Sequence, residues 1–137
     1  VIETQTVEHG SSATAPADPT REGSTFTGWD ASFAEVTGDL TVTAQYAINT
    51  YTVTFQDHDG SVIETQTVEH GSSATAPADP TREGYTFTGW SASFDDITGD
   101  LTITAQYAIN TYTVTFQDHD GSVIETQTVE HGSSATA

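Results

Sequence analysis

The chain has 137 residues, 34% of them hydrophobic and 16% charged, with no cysteine, and with Arg21 and Arg82 as its two cationic side chains against twenty carboxylates. That length suits one or two small domains rather than a large enzyme, and the missing cysteines exclude a disulfide scaffold or a thiolate metal centre. A net charge of −18 repels nucleic acid and anionic lipid, and no apolar run nears the ~20 residues of a membrane-spanning helix.

Sliding the chain against itself by 61 residues superimposes Val1–Ala76 on Val62–Ala137 with six mismatches in 76 positions. The mismatches are Ser24/Tyr85, Asp30/Ser91, Ala34/Asp95, Glu35/Asp96, Val36/Ile97 and Val42/Ile103. A period of that length exceeds solenoid and propeller repeats, so each unit is expected to own its core. In the phase that starts at Tyr51, residues 51–111 form a complete repeat. Residues 1–50 form a partial repeat lacking its first strand, and residues 112–137 a partial repeat holding the first two strands alone. The chain is thus expected to be a piece of a longer protein.

In the complete unit, Tyr51-Thr-Val-Thr-Phe55 alternates apolar and hydroxyl side chains, the pattern of a half-buried strand with Val53 and Phe55 inward. Asp59-Gly60 supplies the positive φ of a tight turn and leads into Val62–Glu69. There Ile63 and Val68 have opposite parity, which predicts a bulge or twist. The proline-rich stretch 71–80 predicts an extended or irregular crossover, with room for one helical turn at Pro80–Glu83 that Asp79 would cap. Tyr85–Trp90 reads as a third strand with Tyr85, Phe87 and Gly89 on one face and Thr86, Thr88 and Trp90 on the other. Leu101–Tyr107 alternates most cleanly, placing Leu101, Ile103 and Tyr107 inward. These residues give a mainly β unit (α+β at most) of about four strands in a mixed sheet, and its expected core is Val53, Phe55, Phe87, Leu101, Ile103 and Tyr107. The linker, read as Ala108–Thr111, reaches at most roughly 14 Å. Successive units must therefore touch, and Ile48, Asn49, Ile109 and Asn110 are the expected inter-repeat junction, with Ile109 packed between units.

Tyr51-Thr-Val-Thr-Phe55, the Asp59-Gly60 turn, Thr75-Ala-Pro77, Asp79-Pro-Thr81, Glu83-Gly-Tyr-Thr-Phe-Thr-Gly-Trp90 and the closing Leu101–Tyr107 strand together resemble the Listeria–Bacteroides repeat family. The resemblance implies tandem small β-grasp-like units in bacterial cell-surface proteins, acting mainly as stalks or spacers, with partner binding in some members.

Asp57, His58 and Asp59 are a candidate cation site, because hard cations seek clustered carboxylates. The sequence lacks a further alternating ligand, and a hairpin turn whose aspartates cap backbone donors is the simpler reading. His58 and His70 would make an incomplete zinc set, and His70 with Ser72 and Ser73 holds the atoms of a hydrolase triad without its positioning elbow. Tyr85 and Trp90 could offer a stacking platform to neutral glycans, against a place for Trp90 in the core or at a junction. No catalytic residue and no cofactor are expected. The reading is a non-enzymatic, semi-rigid stalk of an extracellular protein, wall-attached or secreted. The alternative is an adhesin-type module for host glycan, mucin or protein. Neighbouring repeats are the expected partners, with self-association by strand exchange where a half-repeat lacks a strand, and with neither nucleic acid nor membrane insertion.

Overall fold

A computed structural model describes residues 1–137. It is all β, with eight strands: β1 (Ser24–Trp29), β2 (Ala44–Ile48), β3 (Thr50–Gln56), β4 (Val62–Glu69), β5 (Tyr85–Trp90), β6 (Leu101–Ile109), β7 (Thr111–Gln117) and β8 (Val123–Glu130). Strands β3 to β6 form one mixed sheet in the order β4-β3-β6-β5, flanked along the chain by the two-stranded sheets β1-β2 and β7-β8. Two antiparallel hairpins thus meet through a central parallel pair, Val53 opposite Leu101 and Phe55 opposite Ile103. That is the strand arrangement of a β-grasp, with an irregular crossover in place of a helix. The helical turn expected at Pro80–Glu83 is absent. Instead the Tyr85 amide donates to the Arg82 carbonyl (3.0 Å), and Gly84 takes φ +78° in the tight turn that starts β5.

The core lies across the parallel pair. Val53, Phe55 and Ile103 are fully buried, joined by Val68, Ala74 and Ile97, with Tyr51, Trp90, Phe94 and Leu101 packed against them. Phe55 is its centre, meeting Trp90 and Phe94 edge-on at centroid distances of 5.1 and 5.4 Å. Phe87 and Tyr107 are half-buried at its border.

The bulge expected in the second strand lies at its turn end, where Gln56 pairs with Val62 and Ile63 is left over. A second bulge corrects the parity assigned to the third strand. The register slips between Phe87 and Gly89, and Gly89 takes φ +142° to accommodate it. Thr88 is the extra residue, so Trp90 moves to the face of Phe87, its ring 5.3 Å away, instead of the opposite face.

Candidate functional site

The linker is shorter than the sequence suggested: β6 runs on to Ile109 and β7 begins at Thr111, leaving Asn110 alone between them, as Asn49 is between β2 and β3. Each asparagine bridges two units. The Asn49 amide donates to the Gly23 carbonyl (2.9 Å), and the Asn49 carbonyl accepts from the His70 amide (2.8 Å). The side-chain oxygen of Asn49 accepts from Thr25 Oγ1 (2.5 Å). Asn110 repeats all three bonds with Gly84 (2.8 Å), His131 (2.7 Å) and Thr86 (2.5 Å).

Two histidines complete this arrangement. His70 lies over Gly23 so closely that a Cβ there would overlap its ring, and His131 covers Gly84 in the same way. Each ring faces a tyrosine of its own unit, with Nδ1 3.3 Å from Tyr51 Oη and from Tyr112 Oη respectively. Ile48 stays 49% exposed, whereas Ile109 is half-buried and pairs with Tyr85. Asn49 and Asn110, two of the four residues expected at the junction, make these bonds, and their partners His70, His131, Gly23 and Gly84 were not among the expected residues. The junction's one sequence signal is the equal spacing of Asn49 from His70 and of Asn110 from His131.

At the opposite end of the β3–β4 hairpin, the aspartates serve the turn. Asp59 Oδ1 accepts from the Ser61 amide (3.0 Å) and hydroxyl (2.6 Å), while Gly60, at φ +86°, returns its amide to the Asp57 carbonyl (2.9 Å). Asp57 Oδ1 accepts from Tyr107 Oη (2.7 Å) and the His58 amide (2.7 Å), with His58 Nδ1 3.0 Å away. The Tyr107 hydroxyl foremost, then His58, hold the Asp57 carboxyl down at about 2. Burial, then the hydrogen bond to that carboxylate, pushes the Tyr107 phenol up to about 12. In the β7–β8 hairpin, Asp118 keeps the histidine partner (His119 amide 2.7 Å, Nδ1 2.9 Å), and these bonds lower it. The ligand atoms of Asp57, His58 and Asp59 lie within 4.8 Å of one another, so the triplet could meet a cation. Its oxygens already accept hydrogen bonds from the turn and from β6.

The remaining candidates separate. His58 and His70 sit at opposite ends of one hairpin, so they share no metal, and His70 Nδ1 faces a tyrosine hydroxyl rather than Ser72 or Ser73. Trp90 packs on Phe55 and Phe87. The Tyr85 ring carries the Arg82 guanidinium, with Cζ 3.7 Å from its centroid. Such a stack is worth about 0.5–1 kcal/mol at an exposed site.

The Listeria-Bacteroides repeat domain matches residues 1–48 and again residues 51–110. Among relatives, internalin H of Listeria monocytogenes is 39% identical over 69% of this chain and 21% of its own length. Two proteins of Evansella cellulosilytica, one named as a Gly-rich membrane protein and the other as a membrane protein, are 32% and 35% identical over 92% and 82% of this chain. The matches cover 17% and 20% of those two proteins, so the chain spans about a fifth of the length of its relatives. Two consecutive matches, carried on strands of the same registers and joined through the same asparagine junction, lead to one conclusion: the chain belongs to the Listeria-Bacteroides repeat family, a repeat domain found in bacterial surface proteins such as internalins.

Proposed function

We propose that the chain is a non-enzymatic stalk segment of an extracellular bacterial protein, a semi-rigid rod that holds another domain away from the surface. The observation that carries this reading is the junction. One residue separates the strands of successive units, and the same three hydrogen bonds and the same histidine-on-glycine contact occur at both boundaries. A linker this short has no slack, and a contact that repeats identically gives every unit the same turn relative to the last. The charge of −18 keeps neighbouring rods apart and soluble. Arg82, lying on Tyr85, covers the aromatic face that a glycan would use. On this reading residues 51–111 are the closed unit, and residues 1–50 and 112–137 are parts of its neighbours.

Pulsed electron paramagnetic resonance between spin labels at Thr27→Cys and Thr88→Cys tests the rod directly, since both positions are exposed and occupy equivalent strands. A single narrow distance distribution that broadens in the Asn49→Gly variant is expected. A broad distribution in the parent junction would contradict the stalk.

A further inference from the structure

Tension along the chain enters the complete unit at Thr50, the start of β3, and leaves it at Ile109, the end of β6, because a single residue joins each of these strands to the neighbouring unit. The two strands are the inner pair of the sheet and run parallel, side by side. A pull from both ends therefore drags β3 backwards and β6 forwards along a common direction. Their hydrogen bonds, evenly spaced in a parallel pair, are loaded together and in shear. β4, the crossover and β5, which lie between β3 and β6 in the chain, are outside this path.

The seam between the two strands is reinforced along its length. Its pairs run from Val53 opposite Leu101 to Gln56 opposite Thr104. Just before the first pair, the Thr52 amide donates to Asp100 Oδ1 (2.9 Å). Across the last pair, Gln56 Nε2 donates to Thr104 Oγ1 (2.9 Å), and just beyond it Tyr107 Oη donates to Asp57 Oδ1 (2.7 Å). The bonds to Asp100 and Asp57 end on carboxylates, which makes them the stronger kind. On the core side Val53, Phe55 and Ile103 are fully buried, so water does not reach the seam from that face to replace a strained bond. Each strand is also held on its other edge, β3 by β4 from Thr50 to Gln56 and β6 by β5 from Ala105 to Ile109. Neither can slide without tearing pairs on both sides. Force applied at the starts of both strands acts differently: it opens the seam one pair at a time from Val53 and Leu101, and reaches the Gln56 and Asp57 bonds last.

We propose that the β3–β6 seam is a mechanical clamp, and that each closed unit serves as a load-bearing link carrying tension along the protein. The inference rests on the stalk reading, since a stalk is the element that is loaded end to end. Resistance to force is governed by the rate of unfolding rather than by equilibrium stability, so a unit with this small a core can still hold. When a clamp gives way, a repeat of 61 residues releases on the order of 200 Å of chain, and the tether lengthens in a step instead of breaking.

Optical tweezers on the whole chain, gripped through two introduced cysteines in a sequence that has none of its own, test the clamp. Ala47→Cys with Thr113→Cys pulls along the rod, and Ala47→Cys with Thr98→Cys pulls the starts of β3 and β6 apart; all three positions are exposed. The expected result is an opening step in each direction, with a rupture force several-fold higher along the rod. The double variant Thr104→Val with Tyr107→Phe should lower the force along the rod and leave the peeling force unmoved, because both lost bonds lie at the far end of the seam. Equal rupture forces in the two directions would overturn the proposal, as would a double variant that weakens both directions alike. Either result would leave the Thr27–Thr88 distance distribution, on which the stalk stands, as narrow as before. A broad distribution there would remove the stalk instead and leave the difference between the two forces standing.

Discussion

Val36 and Ile97, Val42 and Ile103, Ala13 and Ala74, and Ala44 and Ala105 are four pairs at equivalent positions of two units with nearly the same sequence. In every pair the first member is half-buried and the second is buried. All seven buried hydrophobic residues fall between Val53 and Ala105. The substitutions between the units are too small to produce this, since two of the six add one methylene and the other four lie elsewhere. What differs is β3. With it, Leu101–Thr104 joins a sheet, and Val68, opposite Tyr51, is buried in the same core as Phe55. Without it, Leu40–Thr43 and Val1–Glu8 lie outside any strand, although the hairpin β1-β2 and the crossover keep their geometry. Secondary structure in this fold is therefore partly a consequence of tertiary pairing, because the same Leu-Thr-Val/Ile-Thr sequence is strand in one place and not in the other.

The sharpest way to break this comparison uses one substitution at two identical positions. Phe55→Ala removes the centre of the core and should cost roughly 3–5 kcal/mol. That is on the scale of the ~3–9 kcal/mol expected for a unit of this size, so its thermal transition is lost. Phe116→Ala, in the same local sequence but outside any closed core, leaves the transition nearly unmoved in dilute solution, as followed by near-ultraviolet circular dichroism. Gly84→Ala comes next. Gly84 is buried at φ +78° under the His131 ring, so a side chain adds strain of about 1–3 kcal/mol and displaces that ring. Gly23→Ala meets His70 in the same way, but belongs to the open unit. It should disturb the first junction, read by the Thr27–Thr88 distance, with little change in the melting of the complete unit.

Smaller effects separate the two hairpins by pH. The folded Asp57 carboxyl titrates at about 2, below the ordinary 3.8, so the stability it contributes is fully present above that ordinary value and is lost as pH falls through about 2. Titration followed by nuclear magnetic resonance should show Tyr107→Phe raising the Asp57 midpoint while leaving Asp118, which has no tyrosine partner, where it was. An equal change at both would dissolve the distinction between the closed and open hairpins. The smallest effect is at the junction: Asn49→Ala and Asn110→Ala each lose one threonine hydrogen bond, about 0.5–1.5 kcal/mol. The two losses should be equal if each junction is independent of the unit on its far side.

Much of this was legible because strand faces obey a period of two. Val53, Phe55, Leu101 and Ile103 announced themselves by alternation, and the Asp-Gly turn by its need for positive φ. The place of Trp90 was not legible, because the bulge at Thr88 is set by pairing with β6 and a strict period cannot register it. His70 and His131 were invisible as junction residues for a related reason. Their contact is with a glycine of the preceding unit, and nothing local to either histidine marks it.

Hydrogen exchange at the backbone of Leu40–Thr43 and Leu101–Thr104, measured in one dilute sample, tests the central claim that β3 closes the unit. The account predicts strong protection of the Ile103 amide and near-free exchange at its counterpart Val42, with Thr104 and Thr43, whose amides donate to Ser91 Oγ (2.9 Å) and Asp30 Oδ1 (2.7 Å), as matched references. Equal protection of Ile103 and Val42 would mean that the sequence forms its strand without β3, and would contradict the account.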